Sequence, residues 1–181
     1  MIDLMQSYSR EELLALVECF AKNMLALDGV WFQSLEQEAG MQTAMRHDEK
    51  VWGIFAGYEG KRFKAFLKLP EFPGLVGLQQ ALPLHFNSIV NQIEMEMDDH
   101  GCLIFRTIDC RVQSARSRKN LPWHPCRPVG LAEYSAFARA IDQRITCEAI
   151  SCHPVISDPN CACSWRFQIA AKADTCVANA Q

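Results

Sequence analysis

The chain lacks the features that mark a secreted, membrane-bound or nucleic-acid-binding protein. Its first residues, Met1-Ile2-Asp3-Leu4, contain no basic segment followed by an apolar run and a cleavage site. No apolar run approaches the length of about 18 residues that suggests a membrane span. The formal net charge is -3, whereas proteins dedicated to nucleic acids usually carry a basic surface. We therefore expect a soluble, cytoplasmic protein with neither nucleic acid nor membrane as a partner.

Several short catalytic and metal-binding motifs are also missing. The sequence contains no Gly-rich phosphate loop, no His-Glu-x-x-His and no Cys-x-x-Cys pair, which is the strong sequence sign of a structural zinc site. It does contain nine cysteines. Because this number is odd, they cannot all pair within the chain, and in a reducing cytosol we expect them to be buried, catalytic or metal-binding.

Hydrophobic periodicity changes from helical to extended along the chain. The N-terminal half repeats apolar residues every three or four positions, whereas Ile93, Met95 and Met97 alternate with polar residues, as in a half-buried strand. We expect an α+β fold in one domain, 1–170, with a helical half at 9–82, an antiparallel sheet of about four strands at 84–170, helices on one face of the sheet, and a flexible tail at 171–181. The predicted helices are 9–28, a second one through Leu35, 41–67, 75–82 and 131–141, and the predicted strands are 92–97, 102–114, 144–150 and 162–170.

Four cysteines of the C-terminal half are candidate metal ligands. Cys110 lies on a predicted strand, Cys126 on a proline-rich loop, and Cys152 and Cys163 beside the ends of two further strands. Neighbouring antiparallel strands would bring these thiols together, and zinc is the expected cofactor if they form a site. The alternative is that they are small apolar residues of the core, where free cysteine is common.

Two residues are candidates for catalysis. Cys126 is close to His124 in the sequence, and a nearby cation stabilises the thiolate form of a cysteine. Glu59 lies within the aromatic stripe of the third predicted helix, where burial would tune a carboxylate towards proton transfer at neutral pH. The alternative for Glu59 is an exposed position at the edge of that stripe.

Five residues are candidates for ligand binding. Arg111 and Gln113 are predicted to share one face of a strand, with Arg116 nearby, and guanidinium groups bind carboxylates through paired hydrogen bonds. Trp52 and Tyr134 would contribute aromatic surface. The alternative for the arginines is a solvated edge strand.

Four segments resemble a known family. They are Leu25-Ala26-Leu27-Asp28-Gly29-Val30-Trp31-Phe32, Asp109-Cys110-Arg111-Val112-Gln113-Ser114-Ala115-Arg116, Pro125-Cys126-Arg127-Pro128-Val129-Gly130 and Phe137-Ala138-Arg139-Ala140-Ile141-Asp142. From about Ser9 to Phe167 the chain resembles an uncharacterised family of bacterial and archaeal cytosolic proteins. It is more distantly similar to the L-2-amino-thiazoline-4-carboxylate hydrolase-like family, whose namesake opens a thiazoline ring. Its last strand is similar to 4-vinyl reductase-type domains, some of which hold zinc through cysteines. These resemblances imply an α+β fold and a role for the four candidate cysteines.

Three functions are consistent with these observations. The leading hypothesis is a small-molecule-binding domain, with a pocket between the aromatic helix and the sheet and a cysteine-rich, zinc-holding site. The second is a cysteine- or metal-dependent hydrolase of a small carboxylate. The third is a homodimer in which the apolar helices form the interface and the thiols are only core.

Overall fold

The computed structural model describes residues 5–169, and within them the expected α+β fold is confirmed. The predicted tail at 171–181 lies outside the described residues. The elements in chain order are α1 (Arg10–Ala39), α2 (Met41–Phe66), α3 (Gly74–Ala81), a 3-10 turn (Leu82–Leu84), α4 (Phe86–Val90), β1 (Gln92–Met97), β2 (Leu103–Asp109), α5 (Arg111–Arg118), α6 (Arg127–Ile141), β3 (Ile145–Ser151) and β4 (Cys163–Ile169).

The four strands form one antiparallel sheet in the order β1-β2-β4-β3. Thr107 of β2 stands opposite Cys163 of β4, and Leu103 stands opposite Phe167. Because side chains alternate between the faces of a strand, this register places Cys163, Trp165 and Phe167 on one face. That face therefore carries both core residues and one of the candidate cysteines.

Helix α6 packs between this face of the sheet and α2. The fully buried core includes Phe105, Trp165 and Phe167 from the sheet, together with Phe137 and Ala138 from α6. No helix within residues 5–169 is long and apolar enough to cross a membrane. The predicted placement of helices against one sheet face thus follows from a single apolar face on the strands.

The long first helix differs from the prediction. Asp28-Gly29 was expected to end one helix and start another, but α1 continues through both residues to Ala39. A glycine inside a helix costs only about 1 kcal/mol relative to alanine, which the remaining turns of a long helix outweigh. The predicted capping box is present, since Glu12 N–H donates to Ser9 Oγ and Ser9 N–H to Glu12 Oε2.

The predicted strand at 102–114 is too long. Strand β2 ends at Asp109, which pairs with the first residue of β1, Gln92. Beyond that point no partner strand remains in the described part of the chain, and Asn91 Oδ1 accepts the N–H of Arg111 at the start of α5. The prediction that Arg111 and Gln113 share a strand face is therefore wrong, because residues two apart lie on different sides of a helix.

Helix α6 begins earlier than the predicted 131. It starts at Arg127, with Cys126 as its N-cap and Pro128 in its first turn. Proline is tolerated there because the N–H groups of a first turn have no partner within the helix. As a result Cys126 lies at the N-terminus of a 15-residue helix rather than in the middle of a loop.

Large apolar side chains remain exposed on α1 and α2. They include Val17, Phe20, Leu27, Val30, Trp31, Val51, Ile54 and Tyr58. This surface is where the homodimer hypothesis would place its interface, and the dimer stays a prediction.

The close approach of α2 to α6 yields a stability prediction. A Cβ atom at Gly60 would lie 2.8 Å from Ala140 Cβ and 2.9 Å from Phe137 O, so Gly60→Ala should lower the free energy of unfolding by about 1 to 3 kcal/mol. A Cβ atom at Gly57, in the same helix, would meet no atom within 4 Å, so Gly57→Ala should raise stability by up to about 1 kcal/mol. Denaturant unfolding of both variants measures the difference, and equal stabilities would contradict the close contact.

Candidate functional site

A cavity of about 770 Å³ lies beside the cysteine-bearing face of the sheet, between it and α1, α2, α5 and α6. All the residues singled out from the sequence line it, except Glu59. These residues are Trp52, Cys110, Arg111, Gln113, Arg116, Cys126, Tyr134, Cys152 and Cys163. The sequence analysis therefore identified side chains that the fold brings to one place, although their roles stay predictions.

Cys126 has the most unusual environment of the cavity thiols. Its Sγ lies 3.4 Å from Cys152 Sγ, and Gln113 Nε2 donates to it at 3.5 Å. The hydrogen bond with Cys152 lowers the pKa of Cys126 to about 5, against the effect of burial and with further help from the hydrogen bond and charge of His124. The N-terminus of α6 also favours negative charge at this position. These interactions favour the thiolate form of Cys126.

His124 links Cys126 to a carboxylate. Its Nε2 lies 3.3 Å from Asp48 Oδ2, and its Nδ1 is buried without a well-formed hydrogen bond. Burial opposes protonation, but the hydrogen bonds and charges of Asp48 and Cys126 outweigh it and raise the pKa of His124 to about 9. The ring of Phe32 packs edge-on against the imidazole, with a centroid distance of 4.6 Å. Cys126, His124 and Asp48 thus lie next to one another in space as a thiolate, an imidazolium and a carboxylate. This arrangement is suited to nucleophilic catalysis.

Gln113 holds the segment that carries both groups. Its Nε2 donates to the backbone oxygen of His124 at 2.8 Å, and its Oε1 accepts the N–H of His124 at 3.0 Å. Both ends of this buried amide are therefore used by the backbone of one residue. Gln113 positions the loop before α6, and its predicted use as a carboxylate ligand would require these bonds to be shared.

The pKa values of the other cavity thiols shift in different directions. Cys163 lies opposite Thr107 and accepts a hydrogen bond from Trp165 Nε1 at 3.3 Å. A hydrogen bond from Cys152 is the main cause that lowers the pKa of Cys163, whereas the hydrogen bonds of Cys152 to Cys126 and Cys163 raise its own pKa. Burial raises the pKa of Cys110 to about 12. The pKa shifts of Cys126 and Cys163 are therefore opposite in direction to that of Cys152.

The described residues contain no ready-made metal centre. Within residues 5–169, no group of three or more histidine, cysteine, aspartate or glutamate side chains is arranged to hold a metal ion. The four candidate cysteines line one cavity, but zinc binding stays a prediction.

Arg111 and Arg116 have different tasks in the cavity. Both terminal nitrogens of Arg116 lie 2.8 Å from the Glu36 carboxylate, and its Nε donates to Pro122 O. Arg116 is buried and fastens α5 to α1, so its donors are already occupied. Arg111 donates Nε to Val90 O and forms no ion pair within 4 Å in the described part of the chain. Of these two arginines, Arg111 is the one that keeps donors for an anionic ligand.

The wall opposite the thiols is aromatic and acidic. Trp52 stacks on Phe86 with a centroid distance of 5.0 Å. Burial and the nearby charges of Asp48 and Glu133 raise the pKa of Asp28 to about 7, although a hydrogen bond from Trp52 opposes this rise. The cavity therefore offers an apolar surface with a carboxyl group that titrates near neutrality.

Glu59 belongs to a neighbouring buried cluster. Its Oε2 lies 3.3 Å from His85 Nε2, which also lies 3.2 Å from Glu133 Oε1. Burial raises the pKa of Glu59, and the exposed-edge alternative is wrong because only 7% of the residue is exposed. Glu133 lines the cavity and Glu59 does not, but Glu59 Oε1 accepts the N–H of Phe86, which does line it, at 3.2 Å.

Sequence reasoning missed four groups of the site. His124 was noticed only as a neighbour of Cys126, while Asp48, Asp28 and Glu133 were not singled out. Asp48 and Asp28 lie on helices far from Cys126 in the sequence, and no local motif links them to it. The one available signal was their position on helix faces that also carry Trp52 and Phe32, because a carboxylate beside core aromatics is a candidate for a perturbed group.

The thiolate character of Cys126 is directly testable. The rate at which iodoacetamide modifies Cys126 should rise to a plateau with a midpoint near pH 5, because the reactive thiolate is already formed above that pH. His124→Gln should move the midpoint upward, since it removes a hydrogen bond and a positive charge. Peptide mapping after acid quenching measures each site.

Cys147 is the matched control for this measurement. Burial raises its pKa to about 12, so it should stay unmodified throughout the same range. A midpoint for Cys126 at the ordinary thiol value of about 8.5 would contradict the arrangement.

Comparison with known proteins gives one match that spans most of the chain. Residues 6–169 match the model of a family of unknown function (DUF6125). No curated protein matches the sequence. The match covers nearly all of the elements that build the cavity, and the chain belongs to this family of unknown function.

Proposed function

We propose that this protein is a cysteine-dependent enzyme that binds a small molecule in the cavity and hydrolyses it, with Cys126 as nucleophile and His124 as proton carrier. One observation carries the proposal. Cys126 stands at the N-terminus of α6, next to the His124–Asp48 pair, on the wall of a cavity of about 770 Å³. Ligand cavities of this size accommodate drug-sized molecules.

The reaction proceeds in two balanced steps. Cys126 Sγ attacks the carbonyl carbon of an ester or an amide, and a carbon–sulfur bond forms. The bond to the leaving oxygen or nitrogen breaks, and His124 gives that atom its proton. Neutral His124 then takes a proton from water, whose oxygen attacks the same carbon and releases the Cys126 thiolate. The sum is the addition of one water molecule across the broken bond.

Asp48 and Gln113 are positioning residues in this scheme. Asp48 pairs with His124 at 3.3 Å and stabilises the imidazolium form. Gln113 fixes the backbone of His124 through two hydrogen bonds. Both reduce the reorientation that His124 requires between the two steps.

A small carboxylate is the proposed substrate class. Arg111 is a lining residue of the cavity, and no described carboxylate lies within 4 Å of its guanidinium nitrogens. A guanidinium group binds a carboxylate through two parallel hydrogen bonds.

A binding protein that holds zinc through its cysteines is the second candidate. It is favoured by the meeting of Cys110, Cys126, Cys152 and Cys163 at one cavity. The two candidates predict different reactivities for Cys126. A catalytic thiolate reacts with alkylating reagents, whereas a zinc-bound thiolate is protected from them. Elemental analysis of protein purified without added metal, with thiols titrated in parallel, distinguishes them. About one zinc per chain with a protected Cys126 favours the binding protein.

Ester hydrolysis tests the enzymatic proposal without knowledge of the natural substrate. Wild-type protein incubated with p-nitrophenyl acetate should release more than one equivalent of p-nitrophenol, and acid-quenched samples should carry an acetyl group on Cys126. Cys126→Ser should abolish both signals, and His124→Gln should slow release by about 10²- to 10⁴-fold. Cys147→Ser serves as the control, because Cys147 does not line the cavity. Release that persists in Cys126→Ser would contradict the proposal.

The role of Arg111 is tested by the charge of the alkylating reagent. Iodoacetate carries a carboxylate and iodoacetamide does not, so the ratio of their rates at Cys126 reports attraction of an anion. Arg111→Ala should lower this ratio about two- to tenfold, which corresponds to at most about 1.4 kcal/mol. Arg139→Ala should leave the ratio unchanged, since Arg139 is exposed on α6 outside the cavity. An unchanged ratio in Arg111→Ala would remove Arg111 from the binding site.

A further inference from the structure

Cys126 and Cys152 form a pair of thiols that a hydrolase does not require. Their sulfurs are 3.4 Å apart, whereas the sulfurs of a disulfide are about 2.05 Å apart. Closing the bond would therefore shorten this distance by about 1.4 Å. The two side chains thus already meet in the folded protein.

The backbone holds the two cysteines at this separation. Arg127 N–H donates to His153 O at 2.9 Å, and these residues directly follow Cys126 and Cys152. Cys152 is fixed a second time by two backbone hydrogen bonds with Val155. The start of α6 and the end of β3 are thus tied together beside the sulfurs, and the remaining adjustment falls on side-chain torsions.

The two sulfurs differ in access. Cys126 is partly exposed, whereas Cys152 has 0% of its surface exposed. Both residues line the cavity, and of the two only Cys126 keeps solvent-exposed surface. This difference is the one required of an attacking and a resolving cysteine.

We infer that Cys126 and Cys152 form a redox-active dithiol that reduces a low-molecular-weight disulfide bound in the cavity. The inference rests on the proposed function only in using Cys126 as the nucleophile. It adds a second class of substrate, in which a sulfur rather than a carbon atom is attacked.

The reaction needs no reagent other than the disulfide. Cys126 thiolate attacks one sulfur of the bound disulfide, which gives a mixed disulfide at Cys126 and releases the first thiolate. Cys152 then gives up its proton and attacks Cys126 Sγ, which forms the Cys126–Cys152 bond and releases the second thiol. The proton from Cys152 stays with the second thiol, and the thiolate released first takes up one proton from water. The Cys126 thiolate and the Cys152 thiol are thereby oxidised to a disulfide, and one external disulfide is reduced to two thiols.

Oxidised glutathione is a suitable probe. The fully reduced protein is desalted, mixed with a small excess of oxidised glutathione at neutral pH, quenched with acid, alkylated and analysed by intact mass and peptide mapping. Wild-type protein should lose two hydrogens, yield one Cys126–Cys152 linked peptide and release two equivalents of reduced glutathione. Dithiothreitol should restore the starting mass.

Serine variants separate the two steps. Cys152→Ser should stop at the mixed disulfide, so that one glutathionyl group accumulates on Cys126, and Cys126→Ser should give neither product. Cys147→Ser is the matched control, because Cys147 lies on β3, whose end leads directly into Cys152, yet outside the cavity, and it should react as wild type. If Cys152→Ser fails to fold, the linked peptide from the wild-type protein still decides the question.

The outcomes distinguish this inference from the proposed function. A stable glutathionyl adduct on wild-type Cys126, or a disulfide from Cys126 to Cys163, would overturn the Cys126–Cys152 dithiol while leaving the nucleophile in place. Ester hydrolysis without any reaction with oxidised glutathione would likewise overturn the dithiol and leave the nucleophile in place. Reaction with oxidised glutathione but no turnover of esters would instead retain the dithiol and overturn the hydrolase.

Discussion

The double hydrogen bond between the side chain of Gln113 and the backbone of His124 is the constraint on which the site depends. It joins the first turn of α5 to the loop before α6, at 2.8 and 3.0 Å, in a buried position. The same amide nitrogen lies 3.5 Å from Cys126 Sγ. Together with the hydrogen bond from Cys126 N–H to His124 O at 2.8 Å, this pair of bonds ties α5, the loop that carries His124 and the start of α6 to one another.

The cavity keeps buried charges in pairs. The Cys126 thiolate faces the His124 imidazolium, which faces Asp48, and Arg116 faces Glu36. An unpaired buried charge is strongly unfavourable, whereas a paired and hydrogen-bonded one is tolerated. Each charge of the site therefore depends on its partner, and the protein can maintain a thiolate in a largely apolar wall.

The sequence predicted the architecture better than the boundaries of its elements. Alternation at Ile93, Met95 and Met97 correctly indicated a strand, because period-two patterns reflect burial of one face. The C-terminal end of β2 was not predictable in the same way, because it depends on contacts with another segment. Strand β2 ends opposite Gln92, the first residue of β1, and the side chain of Asn91 then accepts the N–H of Arg111. The start of α6 was predictable, because Pro128 in a first turn is a known signal, but two further prolines suggested a loop instead.

The candidate site was predictable where chemistry is local and not where it comes from packing. Cysteines and arginines could be singled out from the sequence because those side chains carry reactivity on their own, and all six that were chosen line the cavity. Asp48 acquires its role only because α2 brings it to His124, and that contact has no trace in the spacing of the two residues. The contact between Arg116 and Glu36 likewise leaves no trace in the sequence, and Arg116 was therefore predicted to bind a ligand. Its guanidinium looks identical in sequence to that of Arg111, and only the presence of Glu36 on α1 turns it into a structural anchor.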